Sequence, residues 1–474
     1  MMLKKLDPRW LAFIILCLGT VMEVLDSTIV NVALPSIRTS LHFSESNLAW
    51  VVNAYLLTFG GFLLLGGRLG DLFGQRKLFI IGITIFTLSS LACGLAQTQA
   101  VLITARAVQG FGGAILAAVS LSLIMNLFTT PEERTRAMGY FGFIAAGGGS
   151  IGVLLGGLLT NSFDWHWNFL INVPIGIFVF IASLKLLPTS RVEMKHRHLD
   201  AFGAITVTAS LLLAVYAIVN GNQAGWMSMQ TTTLLALAII LLALFVWIES
   251  HVKAPLMPLG LFKSRNITVA NIICVLWAAS MFAWFFLSAL YLQLVLHYSP
   301  LQVGLTFLPP NLIMAAFSVG LSAKLVMKFG IKKPIMVGLA LAGLGLALFI
   351  RAPLHANFVW DVLPNMILLG LGAGIAFNPI LLSAMNDVKP EESGLASGLV
   401  NTSFMMGGAL GLAILASIAA SQTHALLMIG QNSIQALNNG YHAAFLVGAL
   451  SAFLAAGLGG LLHISKVKAS NVAH

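Results

Sequence analysis

Residues 10–34 read WLAFIILCLGTVMEVLDSTIVNVAL. The run is long enough for a bilayer core, which takes about 20 apolar residues in a helix. Yet it carries two acids, Glu23 and Asp26, well inside it. A signal-peptide core is shorter and ends at a small-residue cleavage site. Neither feature is found here, although Lys4, Lys5 and Arg9 precede the run. The expectation is a retained first transmembrane helix.

The rest of the chain has the same character. Of 474 residues, 58% are hydrophobic and only 8% are charged, with a mean hydropathy of +0.94. A soluble domain carries about 25% charged residues. This composition cannot cover a water-facing surface of such size, which excludes a soluble enzyme, a disordered chain and a fibre. Comparable apolar segments recur at 10–34, 48–67, 78–97, 101–127, 135–160, 168–187, 200–220, 230–250, 267–296, 301–328, 333–351, 362–387, 394–420 and 441–463. They predict an all-α polytopic protein with fourteen transmembrane helices.

The basic residues test that count. With the N-terminus inside, 22 of the 25 Lys and Arg fall in inner segments; Arg38 and Arg351 fall outside, and Arg106 lies within a helix. Cytoplasmic loops collect Lys and Arg. The asymmetry therefore predicts cytoplasmic termini, and it accounts for the net charge of +10 without nucleic acid. A bacterial cytoplasmic (inner) membrane is the expected location. Cys17, Cys93 and Cys274 each lie in an apolar run without a CxxC, so they read as small buried hydrophobes and not as a disulfide or zinc set.

Two stretches repeat. Arg68–Lys77 is RLGDLFGQRK and Lys324–Lys333 is KLVMKFGIKK, 256 positions apart; Leu41–Ser44 (LHFS) returns as Leu296–Ser299 (LHYS), 255 apart. Duplicated halves with a site between them mark transporters. The expected organisation is an N-terminal six-helix bundle (1–188), a linker with two inserted helices (189–252) and a C-terminal six-helix bundle (253–474).

Several motifs carry a resemblance. Gly67–Lys77 between helices 2 and 3 resembles the loop signature of the major facilitator superfamily. Leu25–Pro35 (LDSTIVNVALP), Arg106–Gly112 (RAVQGFG), Trp165–Pro174 (WHWNFLINVP) and Tyr291–Gln293 resemble the 14-helix drug:proton antiporters of the EmrB/QacA type. The resemblance spans essentially the whole chain. It implies a major facilitator fold. It also implies that Gly67, Asp71, Gly74 and Arg76 form a conformational latch that bonds to neighbouring helix ends. In the second copy Met327 replaces Asp71, so the two latches should differ. One departure stands in helix 5, where Val153 replaces the proline of the family's Gly-Pro-x-x-Gly-Gly. Gly148, Gly152 and Gly156 remain in one row, which suits close helix packing.

Ionisable groups within a membrane are costly and mark function. Glu23 and Asp26, at i and i+3, share a helix face. They read either as proton carriers or as parts of a structural network; Asp26 matches the family motif, and Glu23 also suits attraction of a cationic substrate. Arg106 should lie at a similar depth in the outer half, in reach of those acids or of carbonyls. Trp277, Met281 and Trp284 form a mid-depth stripe with Phe285 beside them. Such a stripe suits a large apolar cation, though helix or lipid packing would also use it. Asn53, Tyr55, Gln109, Asn311 and Asn378 are further candidates to face a cavity, and each alone could instead join helices by a polar contact. No phosphate-binding GxxxxGK[ST] and no HExxH occurs. Gly148–Gly152 matches GxSxG but lies in a membrane helix, where no hydrolase elbow forms.

The sequence thus predicts a proton-coupled antiporter that exports amphipathic, cationic compounds by alternating access. No cofactor, metal or catalytic residue is expected. The partners are small substrates, protons and the lipid bilayer, and the expected unit is a monomer. A dedicated exporter of one lipid, peptide or metabolite and a non-transporting scaffold or sensor are the competing readings.

Overall fold

The computed structural model describes residues 7–128, 130–188, 200–252, 255–385 and 393–463. Among them the chain is helical: α1 (Pro8–Leu41), α2 (Trp50–Phe73), α3 (Gln75–Gly94), α4 (Gln99–Leu127), α5 (Pro131–Ser162), α6 (Asn172–Leu186), α7 (Ala201–Ala224), α8 (Met229–His251), α9 (Arg265–Leu290), α10 (Pro300–Ala316), α11 (Lys332–Phe349), α12 (Leu363–Met385), α13 (Ser393–Met428) and α14 (Ser433–Gly459). Twelve helices among the described residues are long and apolar enough to cross a membrane. The two expected segments outside that set coincide with α5, an unbroken helix of 32 residues, and α10, which continues through a π turn at Phe317–Leu321 into Ser322–Phe329.

Local chemistry starts these helices where the sequence places a cap. Thr98, Thr130, Ser228, Ser264 and Asn432 each accept a backbone N–H of the first turn, which offsets orphan donors. Ser299 and Gln302 complete a capping box at α10. α1 runs on through Pro35 to Leu41, past the expected end at 34. Proline removes one N–H from the ladder, and in a helix packed on its neighbours that loss does not end the element.

The internal repeat governs the packing. α1 packs on α5, α2 on α4 and α3 on α4 and α6; in the other half α9 packs on α13, α10 on α12 and α11 on α12 and α14. The halves meet along two seams, α5 with α10 and α2 with α13, which are the same pairing seen from opposite repeats. Glycines permit the close crossings. A Cβ on Gly82 would stand 3.1 Å from Leu116 N of α4, and one on Gly338, 256 positions later, 2.9 Å from Ala376 N of α12. The matched LHFS and LHYS segments agree in conformation too. His42 and His297 both have φ 56°, and they are the two non-glycine residues with positive φ among those described.

The inserted pair lies at the side. α7 packs on α2, α13 and α8, whereas α8 leans on α7 and exposes Ile239, Ile240, Leu242, Leu244, Val246 and Trp247. A helix apolar all round with this exposure faces lipid. The polar stretch Pro188–Asp200 falls mostly outside the described residues.

Candidate functional site

Asp26 is fully buried, and both its oxygens are engaged. Arg106 Nη1 on α4 donates to Oδ2 at 2.5 Å. Gln109 Nε2 donates to Oδ1 at 2.8 Å, and Asn172 Nδ2, from the first residue of α6, reaches Oδ1 at 2.9 Å. Arg106 is 1% exposed; its Nε donates to Val51 O of α2 at 2.9 Å and its Nη1 also to Gln109 Oε1 at 2.6 Å. Gln109 Nε2 further donates to Ser90 Oγ of α3 at 2.7 Å. The guanidinium carbon stands 4.4 Å from the Tyr55 ring centroid and 5.7 Å from that of Phe169.

One carboxylate thus gathers groups from α1, α2, α3, α4 and α6. A buried ion pair survives desolvation only when further hydrogen bonds satisfy both partners. Here Gln109, Asn172 and the Val51 carbonyl supply them. The spacing of Arg106 and Gln109, i and i+3, puts both on one face of α4. Of the two readings of Gln109, cavity-facing or interhelical, the structure shows the interhelical bonds of this network.

Glu23, one turn earlier on α1, differs. It is half-buried and makes no hydrogen bond among the described residues. Other candidates are buried with polar atoms that lack a partner among the described residues: both side-chain polar atoms of Asn53, the Tyr55 hydroxyl, the indole nitrogens of Trp277 and Trp284, and Asn311 Nδ2. Such groups cost about 1–3 kcal/mol each when unpaired.

The stripe on α9 occupies a particular face. Val275, Phe282 and Ala279 meet Gly407, Gly408 and Gly411 of α13. The Leu276 carbonyl and Ser280 bond with Ser451 and the Gly448 carbonyl of α14. Trp277, Met281 and Trp284 fall on the remaining face. Trp284 and Phe285 lie 6.1 and 5.2 Å from Phe307 of α10. Met281 and Asn378 are half-buried, and no hydrogen bond joins them to the Asp26 network.

The glycine row of α5 lies on α1. A Cβ on Gly148 would meet Val24 at 3.3 Å, one on Gly152 would meet Thr28 Oγ1 at 2.1 Å, and one on Gly156 would meet Ile29 O at 2.7 Å. In the loop motif, Gly74 has φ 95°, and Arg76 Nη2 donates to Leu184 O near the end of α6 at 2.6 Å. Gly67 leaves space beside Ala118 of α4. The Asp71 side chain lies outside the described part. Sequence reading missed Ser90, Phe169 and Asn172 as members of the site. Asn172 stood in the quoted Trp165–Pro174 motif, and that was its one visible signal.

Two pseudo-equivalent helical halves, the first enclosing a buried charged network, are the build of a multi-pass membrane transporter. The family model of the Major Facilitator Superfamily matches residues 16–412, and the chain belongs to that superfamily. It is 37% identical over 424 residues to the puromycin resistance protein pur8 of Streptomyces alboniger, covering 89% of this chain and 84% of that one. It is 36% identical over 423 residues to the cephamycin export protein CmcT of Amycolatopsis lactamdurans, covering 89% and 87%. In fold it is similar to an auto inhibited POT family peptide transporter, with a TM-score of 0.69 at 17% identity over 96% of this chain and 98% of that one. It is also similar to the xylose transporter XylE from E. coli in a partially occluded inward open conformation, with a TM-score of 0.62 at 15% identity over 98% and 99%.

Proposed function

We propose that the protein exports amphipathic, cationic drugs in exchange for protons, as a monomer with both termini in the cytoplasm of a bacterium and fourteen spans in its inner membrane. Two six-helix bundles, 1–188 and 253–474, would rock against each other, the first carrying the Asp26 network, while the inserted pair in 189–252 rides at the side. The observation that carries the reading is the fully buried Asp26 carboxylate held by Arg106, Gln109 and Asn172. A proton on Asp26 removes the charge that holds Arg106 and frees the network to rearrange. The repeat adds an asymmetry: Asp26 plus 255 is Met281. The N-terminal half thus offers charge where the other half offers Trp277, Met281 and Trp284. Glu23, without a bonded partner among the described residues, is the carboxylate available to a cation.

Relatives named for puromycin resistance and cephamycin export support export of drug-like compounds. The test is transport in proteoliposomes with an imposed pH gradient and a panel of cationic, neutral and lipid-like candidates. Gradient-driven uptake of several cations, abolished in Asp26→Asn, is the expected result. Transport of a single neutral or lipid-like compound would instead favour a dedicated exporter.

A further inference from the structure

The inserted pair α7–α8 has no counterpart in the second repeat, and the site at Asp26 gives it no task. Its position is specific. α7 lies along the α2–α13 seam between the halves. Thr208 of α7 fills the space over Gly61 of α2, with Oγ1 2.0 Å from where a Cβ would stand. Near the other end, Asn222 Nδ2 donates to Ser417 O and Oγ of α13 at 2.7 and 2.9 Å.

Two acids anchor the pair at the end shared with the basic loops. Asp200, 4% exposed, caps α7 by accepting Gly203 N at 2.8 Å. Glu249 of α8, 3% exposed, accepts Met257 N at 3.0 Å and so ties down the connection to α9. The second oxygen of each, Asp200 Oδ2 and Glu249 Oε1, is buried and has no donor among the described residues. These oxygens converge over Gly203, 2.6 and 2.9 Å from the place of a Cβ. Any residue but glycine would fill this space. Leu65 of α2, Ala204 and Leu256 are buried together nearby, flanked by Phe62, Leu64 and Leu69.

The ionisable groups on the elements packed here are Tyr216 of α7, Tyr55 and Arg68 of α2, His251 of α8, Lys263 in the turn Leu259–Lys263 and His424 of α13; the Asp71 and Lys253 side chains lie outside the described part. No hydrogen bond joins any of them to the pair among the described residues. Asp200 is the charged side chain that meets Glu249 over Gly203 among the described residues.

Two bare carboxylate oxygens cannot face each other out of water without a proton between them. We propose that Asp200 and Glu249 hold one shared proton, taken from water at the basic face, and that this proton fastens α7 along the α2–α13 seam. Uptake reduces the pair from two negative charges to one and makes a carboxyl O–H donor for the facing oxygen. Loss at alkaline pH leaves two repelling anions at the α7 cap and the α8 connection. The seam that must open for alternating access then loosens. The proposal does not rest on proton coupling at Asp26, and Asp26→Asn should leave it unchanged.

The test is hydrogen exchange across α7 in the purified full chain, corrected for intrinsic rates, as pH is raised. An infrared titration of protonated carboxyl groups accompanies it. Wild type should lose protection in α7 in step with the loss of a carboxyl band. Glu249→Gln and Asp200→Asn supply an amide donor in place of the proton; both should keep protection at every pH and lack the band. Gly203→Ala, whose Cβ would push the oxygens apart, should give the loosened state throughout. A wild type whose α7 protection and carboxyl bands do not change with pH would overturn the proposal without any variant. So would variants that titrate as wild type does.

Discussion

Arg76 and Lys332 stand 256 positions apart and make the same contact. Arg76, in the first turn of α3, donates to Leu184 O near the C-terminal end of α6. Lys332, the first residue of α11, donates to Gly460 O at the end of α14. In each half the third helix thus holds the end of the sixth. The repeat seen in the loop motif is a repeat of bonding, although Asp71 has given way to Met327 in the second copy.

A cation at a helix C-terminus is worth about 0.3–1 kcal/mol when exposed, and salt screens it. Arg76→Ala and Lys332→Ala should each lower stability by that order. They lie in different halves, so the effects should add. Thermal unfolding in detergent at low and high salt checks this; an equal loss at both salts would remove the electrostatic account.

The Asp26–Arg106 pair makes a sharper prediction. Asp26→Asn leaves a buried guanidinium without its counter-charge, which costs about 3–5 kcal/mol. The double variant Asp26→Asn, Arg106→Gln removes both charges and should recover much of that loss. Gradient-driven transport should stay absent in both. Restored transport in the double variant would make the pair purely structural.

Asn172 and Ser90 separate two layers of the network. Asn172 touches Asp26 itself, whereas Ser90 touches only Gln109. Each Ala variant removes one of two hydrogen bonds at its partner atom and should cost about 0.5–3 kcal/mol. Asn172→Ala should also move the pH profile of transport, and Ser90→Ala should move it less. Equal shifts would mean that the network responds as one unit.

Some of this site was legible in the sequence because charge is rare here. Asp26 and Arg106 stand out in apolar runs, and the glycine row declares itself by spacing. Asn172 and Ser90 do not stand out, since isolated amides and hydroxyls are common between membrane helices. Their partners lie far away in the chain. The Val51 carbonyl is backbone and has no sequence signal. Gln109 had a signal but no single task, because the same side chain serves a cavity or an ion pair. Asp200 and Glu249 lie at segment ends, where an acid reads as a loop residue. Only the fold over Gly203 brings them together. The halves were legible from two short repeats, whereas the path of α7 along the α2–α13 seam was not.

The glycines of α5 give the last prediction, because two neighbours in one row should respond differently to the same rescue. A Cβ on Gly152 collides first with a side chain, Thr28 Oγ1 at 2.1 Å, and only then with Leu25 O at 3.0 Å. A Cβ on Gly156 collides with backbone, Ile29 O at 2.7 Å. Overpacking of this kind costs about 1–3 kcal/mol. Gly152→Ala and Gly156→Ala should both destabilise the protein and slow transport, since α1 carries Asp26. Adding Thr28→Ala should relieve Gly152→Ala substantially and leave Gly156→Ala unimproved. The check is the melting temperature of the four variants, read with transport in vesicles. Rescue of both glycine variants by Thr28→Ala would mean that α1 shifts as a rigid rod, and the residue-by-residue account of this crossing would fail.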